Sequence, residues 1–246
     1  MPLQNAIDVP TNAINPQLTN LSFKSNPVMS AQTGGVAAVT INTTNQWSVG
    51  NGYIFECYNN TVATNIGPII TSTGLNIDHI GSAASKIIEI TRGVTAGSPD
   101  SFVAGTSAAF YVQATFNINT LADVTDLFIG FRKAQAYQNT GLTTYTDYAT
   151  IGVHSTAGEI QLQTQIASGG NTVTDTTQAI LAATNFTIRV NVSSAGVVTY
   201  LLNGAAPTTV AAYTLAANTV VPFIWYATPA GGHAEVDIVN YQCGLQ

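Results

Sequence analysis

The stretch Phe186-Thr-Ile-Arg-Val-Asn-Val-Ser-Ser-Ala-Gly-Val-Val-Thr-Tyr-Leu-Leu-Asn-Gly204 decides how this chain is read. Phe186, Ile188, Val190 and Val192 alternate with Thr187, Arg189 and Asn191. In a strand, successive side chains point to opposite faces, so this alternation makes one dry face and one wet face. Ser193-Ser-Ala-Gly196 interrupts the pattern and a second β-rich run, Val197 to Leu202, follows it, which predicts a hairpin. Asn203-Gly204 closes that run with the dipeptide that favours a type I′ turn, because both central positions there need positive φ.

Outward from this hairpin the same texture continues: short runs of Val, Ile, Phe, Tyr and Thr between clusters of Gly, Asn and Ser. They predict strands at Val36 to Ile41, Tyr53 to Cys57, Ile66 to Ile70, Lys86 to Arg92, Phe110 to Ile118 and Asp126 to Lys133. Further strands are expected at Tyr148 to Val153, Glu159 to Ile166, Val220 to Ala227 and Ala234 to Tyr241. Only Gln178 to Ala183 reads as a helical turn. Many strands, no sustained helical period and no repeat predict an all-β fold, a jelly-roll β-sandwich of two antiparallel sheets over residues 36–246. Before it, residues 1–35 carry Pro2, Pro10, Pro16 and Pro27 among Asn, Thr, Gln and Ser. Proline blocks both helix and central strand, so this segment is expected to be an extended N-terminal arm lying along a surface, its own or a neighbour's. Leu18, Leu21 and Phe23 are its apolar anchors and the expected subunit or shell contacts.

Composition narrows function by exclusion. Hydrophobic residues make up 46 %, but charged residues only 7 %, against about 25 % in an ordinary domain. Disordered chains combine low hydrophobicity with high charge, so this chain folds. Twelve acidic and six basic residues give a formal charge of −6, and Lys24, Lys86, Arg92, Arg132, Lys133 and Arg189 are spread thinly. Nucleic acid and anionic membranes both need clustered Lys and Arg, and neither is an expected partner. The N-terminus lacks the basic start and apolar core of a signal peptide, and the best apolar run, Val220 to Ala227, is short and broken by Pro222.

No constellation for catalysis, metal or cofactor emerges, and the chain is read as non-enzymatic with no cofactor. Glu235-Val-Asp237-Ile-Val-Asn240 approaches the Glu-x-Asp-x-x-Glu strand signature of some glycoside hydrolases, but Asn240 cannot act as an acid. Glu235 and Asp237 are expected side by side on a solvated strand face. His79, His154 and His233 have no metal-ligand spacing, no Gly-x-Ser-x-Gly elbow occurs, and Cys57 and Cys243 form no metal or redox motif. Asp123, Asp126 and Asp147 are not spaced as a calcium loop. Trp47, Tyr53, Tyr58, Tyr137 and Tyr145 fall in or near expected loops. Of these, Trp47, Tyr137 and Tyr145 are candidate contacts to a glycan or a protein, since an aromatic face suits either, with core packing as the alternative.

Phe128-Ile-Gly-Phe-Arg-Lys133, Tyr148-Ala-Thr-Ile-Gly-Val153, the quoted hairpin and Val221-Pro-Phe223 together resemble the concanavalin A-like and laminin-G-like jelly roll. The wider texture, low in charge, rich in Thr, Asn and Ala and led by a proline-bearing arm, looks like the capsid decoration (cement) proteins and fibre-associated proteins of tailed bacteriophages. That resemblance implies a virion structural protein on the capsid surface, with the major capsid protein or another virion protein as partner. It also implies a homo-oligomer, a trimer first. Scarce charge suits such interfaces. The alternative from another class is a lectin-like glycan- or receptor-binding module of a tail fibre.

Overall fold

The computed structural model describes residues 19–22, 46–48, 54–59, 69–78, 85–91, 96–98, 100–138, 140–155 and 157–246. Strands are numbered in chain order. The first sheet runs β15 (Tyr213–Thr214), β14 (Val197–Leu202), β13 (Phe186–Val192), β8 (Phe110–Ile118), β17 (Val236–Leu245), β5 (Leu75–Asn76) and β4 (Ile69–Ile70). Its remaining strand, β1 (Thr19–Ser22), also pairs with β17. The second sheet runs β12 (Thr172–Ala179), β11 (Glu159–Gln165), β10 (Tyr148–His154), β9 (Asp126–Lys133), β16 (Thr219–Thr228), β6 (Lys86–Thr91), β3 (Ile54–Asn59) and β2 (Gln46–Ser48), and β7 (Phe102–Val103) pairs with β16. Every pairing between these strands is antiparallel. Two antiparallel sheets packed face to face make the jelly-roll sandwich that the alternating sequence predicts.

The core follows from the alternation. Phe110, Val112, Ala114, Phe116 and Ile118 of β8 and Phe186, Ile188, Val190 and Val192 of β13 point inward from the first sheet. Leu127, Ile129 and Phe131 of β9, Ile151 and Val153 of β10, and Ile224 and Tyr226 of β16 meet them from the second. Phe102 stacks on Phe110 with ring centroids 4.6 Å apart, and Phe131 meets Phe110 edge-on at 4.9 Å. Such ring pairs add to their burial and fix one packing arrangement.

The decisive hairpin forms as read. Ser193 to Gly196 joins β13 to β14, with Gly196 donating to the Ser193 carbonyl at 2.8 Å. Asn203 and Gly204 both adopt positive φ, 51° and 83°, as a type I′ turn requires. The turn is closed by a bridge between Leu202 and Ala205, but no long return strand follows: β14 takes only the two-residue β15 as its outer neighbour.

Three sequence expectations need correction. Gln178 to Ala183 is not a helical turn; Gln178 and Ala179 end β12, an edge strand. Thr172–Ala179 is almost wholly polar and lies largely exposed at the sheet margin, so it lacks the apolar alternation by which buried strands are recognised. Of the expected strand Ile66 to Ile70, Ile69 and Ile70 are strand, and 66–68 lie outside the described residues. The strand Glu159–Gln165 stops before Ile166, which is exposed beyond its end. Finally, the sandwich draws a strand from before residue 36: Thr19 to Ser22 pair with Cys243 to Asn240, so this part of the expected arm lies in the first sheet. The expected strand Val36 to Ile41 and the rest of residues 1–35 lie outside the described residues.

The second sheet is covered on its outer face as well. Phe128, Tyr148, Phe223 and Trp225 point outward there and are buried beneath residues 134–138 and 140–147, whose Leu142 and Tyr145 complete a second hydrophobic cluster. Arg132 is sealed in the same place. Its Nε and Nη2 donate to the Glu89 carboxylate at 3.2 and 2.7 Å, and its Nη1 donates to the Lys133 and Gln135 carbonyls, both at 3.0 Å. The Tyr145 hydroxyl also donates to Glu89, and the guanidinium lies 4.6 Å from the Tyr145 ring centroid. Burial, with the neighbouring Glu89 charge, holds the Tyr145 phenol far above its ordinary pKa, so it remains a donor.

Candidate functional site

Where β17 begins, the outer face of the first sheet opens into a cleft of about 340 Å³ lined by Thr71, Thr73, Asn76, Asn117, Asn119, Glu235 and Asp237. That volume lies at the lower end of the range of about 300–1,000 Å³ in which small-molecule sites fall. Strand register builds the floor. Asp237 stands opposite Asn76 of β5 on one side and Asn117 of β8 on the other, so three polar residues form a row across three strands. Their sequence neighbours Ile118, Val236 and Ile238 face the core, so the alternation forces the row outward.

One wall is the turn Thr71 to Gly74. Thr71 Oγ1 accepts the Thr73 and Gly74 amides at 3.1 Å each, and its one proton lies between the Gly74 carbonyl at 3.1 Å and Asp237 Oδ1 at 3.2 Å, so the turn that shapes the wall also places a hydroxyl beside the carboxylate. Glycine is required here for space: a Cβ on Gly74 would stand 2.5 Å from the Ile238 carbonyl oxygen of β17.

The other wall is the approach to β17. Glu235 has φ of 50°, in the left-handed region that a non-glycine residue rarely adopts, and Asn119 Nδ2 donates to its carboxylate. The bend is pinned from behind by Asp78, which accepts the Ala234 amide and the Tyr226 hydroxyl, both at 2.7 Å. Asp78 is buried, and Tyr226 remains protonated because burial and the Asp78 charge push its phenol up. The Glu235 carboxylate therefore sits on a fixed backbone.

Burial raises the pKa of Asp237, and hydrogen bonds from Thr71, Asn76 and Thr73 work against that rise while the Glu235 charge adds to it. Two carboxylates, three amides and two threonine hydroxyls thus converge, with no cation and no thiol among the lining side chains. Among the described residues no group of three His, Cys, Asp or Glu side chains is placed to hold a metal ion.

The other sequence candidates are distributed elsewhere. Tyr145 is fully buried against Phe223 and Trp225, so it is a core residue and not a surface contact. Its strand-poor surroundings in sequence suggested an exposed loop, but the loop folds down over the second sheet. Tyr137 is half-buried with its ring 6.4 Å from that of Trp225. Trp47 lies in β2, opposite Phe55. Leu21 lies in β1, opposite Tyr241, and Leu18 and Phe23 lie outside the described residues, as does His79. His154 Nδ1 is 2.7 Å from Asp126 Oδ1 across β9 and β10, an ion-pair geometry that spacing in the chain does not reveal. Asp123 accepts the His233 amide and Asp147 the Ala167 amide, so the three aspartates serve three separate places.

Glu235 and Asp237 do share one site, though not as an exposed pair along a strand: Glu235 precedes the strand in a left-handed bend, and Asp237 is buried at the cleft floor. Thr71, Thr73, Asn76, Asn117 and Asn119 carry no local signal, and only strand register joins them to the carboxylates.

No family model matches this chain. No curated protein matches it either. Solved structures similar to it include a galectin of Caenorhabditis elegans, 12 % identical over 58 % of this chain and 89 % of the galectin, with a TM-score of 0.35. The carbohydrate recognition domain of Emp46p is 5 % identical over 77 % of this chain and 87 % of the domain, with a TM-score of 0.49. An alginate lyase of Pseudomonas aeruginosa is 13 % identical over 94 % of this chain and 99 % of the lyase, with a TM-score of 0.45. Likeness at this level carries nothing about ligand or activity.

Proposed function

We propose that this protein is a non-enzymatic carbohydrate-binding module whose cleft at the head of β17 takes the hydroxyls of a sugar. The observation that carries this reading is the lining itself. A sugar hydroxyl donates one hydrogen bond and accepts others; carboxylates only accept, and amides do both. Glu235 and Asp237 supply the acceptors, and Asn76, Asn117 and Asn119 supply donor and acceptor together, on a backbone fixed by the Thr71 turn and by Asp78. Fixed polar groups bind well because little ordering remains to be done on association. The setting on a virion, at a tail fibre or on the capsid surface, belongs to the same proposal and rests on the low-charge, Thr- and Asn-rich texture of the chain.

A glycan array probed with the full-length protein tests the reading, followed by calorimetric titration of the best ligand against Asp237→Ala and Asn119→Ala. Losing a hydrogen bond to a charged group costs about 1.5–3 kcal/mol, so an affinity loss of roughly 10-fold to 100-fold is expected for Asp237→Ala. A blank array overturns the proposal. Release of reducing ends from a polysaccharide, abolished by Glu235→Gln, would replace it with a hydrolase.

A further inference from the structure

Past Asn117, the last cleft residue on β8, the sheet face stays polar. Beyond it the outer faces of β13, β8 and β17 lie side by side, and their registers align Thr187, Thr115 and Asn240 in one row and Arg189, Gln113 and Gln242 in the next. All six are half-buried and reach solvent. From Asn117 to Gln113 along β8 is four residues, about 13 Å at the strand repeat, which is the reach of a short oligosaccharide and not of a single ring. Between the carboxylates at one end and Arg189 at the other, every outward side chain of these two rows is neutral and polar.

Arg189 is the exception that gives the strip a direction. Its guanidinium lies 3.8 Å from the Tyr111 ring centroid, its Nε donates to Asn191 Oδ1 at 2.6 Å, and its Nη1 donates to Gln113 Oε1 at 3.5 Å. Asn191 is itself held by Gln246 Nε2 at 2.9 Å. These partners are a ring and two amide oxygens. Among the described residues no carboxylate pairs with Arg189, in contrast to Arg132, whose charge is met by Glu89. Stacking and amide contacts orient the guanidinium without neutralising it. An oriented guanidinium is the side chain best matched to a carboxylate, which it binds with paired, charge-assisted hydrogen bonds.

Taking the carbohydrate reading of the cleft as its basis, we infer that the ligand is an extended acidic oligosaccharide lying along β8, with neutral hydroxyls in the Asp237 cleft and a uronate carboxylate on Arg189. The polarity of the strip fixes the orientation, because a carboxylate placed at the other end would meet Glu235 and Asp237. A neutral glycan would leave the guanidinium without a counter-charge.

The test pairs each of a panel of uronate-containing oligosaccharides with its carboxyl-reduced, neutral form and titrates both into the full-length protein, into Arg189→Gln and into Arg189→Lys. The expected result is about 10-fold tighter binding of the acidic form by the native protein, a charged hydrogen-bonded pair of about 1.4 kcal/mol or more. Arg189→Gln should bind both forms at the neutral level and unfold no more than about 4 °C below the native protein, and Arg189→Lys should keep part of the preference. Equal binding of the two forms by the native protein, or an acid preference that survives Arg189→Gln, overturns the inference and leaves the carbohydrate reading standing. Binding of neither form, with the glycan array blank, overturns both.

Discussion

The two outer faces of the sandwich are built by the same alternation and come to opposite ends. On the second sheet, outward positions hold Phe128, Arg132, Tyr148, Phe223 and Trp225, and residues 134–138 and 140–147 fold over them until Trp225 and Arg132 are sealed. On the first sheet, outward positions hold Gln113, Thr115, Asn117, Thr187, Arg189 and Asn191, and these stay half-buried and wet. One arginine lies in each. Arg132 is spent on stability, since every contact it makes is internal and its charge is matched. Arg189 is held in place by neutral groups and keeps its charge for something outside. A pleated face becomes a second core when its outward residues are apolar enough to repay ordering a loop over them, and otherwise stays open to ligand.

The largest expected effect breaks the closed face. Arg132→Ala leaves Glu89 buried without its cation, and stability measured by urea unfolding should fall by about 3–5 kcal/mol. Replacing both partners with apolar residues, Arg132→Met with Glu89→Leu, should restore most of that loss, since burying the pair costs much of what it returns. If the single and double variants are equally unstable, the ion pair is not what holds the flap.

Next in size is Gly130→Ala, on the same face. A Cβ at this position would stand 2.0 Å from the Ala149 carbonyl oxygen, which belongs to a paired strand and cannot swing away. Overpacking of this kind costs about 1–3 kcal/mol, read as a lower midpoint in the same urea titration. An unchanged midpoint would show that β9 and β10 can separate at that point.

On the open face the effects should move from stability to binding, and pH gives the clearest separation. Asp237 has a raised pKa because it is buried, so on acidification it takes up a proton at a higher pH than an ordinary aspartate, and one of its acceptor oxygens becomes a donor. Sugar binding should therefore weaken as pH falls, at a higher pH than an ordinary aspartate would give, and Asp237→Asn should flatten that limb. For folding the sign is reversed. A raised folded pKa contributes stability that is fully present below the unfolded pKa and is lost as pH rises through the folded value. Acid should thus release ligand while this site favours the folded state; binding and stability falling together would contradict it.

The smallest effect is expected for Arg189→Gln in the absence of ligand. It removes a contact with the Tyr111 ring worth about 0.5–1 kcal/mol at a partly exposed site. A shift in the unfolding midpoint as large as that of Arg132→Ala would mean the two arginines do the same work.

The sequence by itself determined the fold. Alternation in Phe186–Val192, the Ser193 to Gly196 turn and the Asn203-Gly204 dipeptide are local, and side-chain direction in a strand has a period of two regardless of what the strand pairs with. Local pattern failed where the strand was polar and marginal, as at Thr172–Ala179, or only two residues long, as at Leu75–Asn76. It also flagged Glu235 and Asp237 as a pair. What only the tertiary structure decided is which neighbours those carboxylates have and which aromatics stay outside. Asn76 and Asn117 reach Asp237 through strand register, across about 160 and 120 residues of chain, and Tyr145 disappears because a loop closes over the second sheet. Register and loop closure are set by the summed burial of whole faces, a quantity that belongs to two sheets at once and to no single segment.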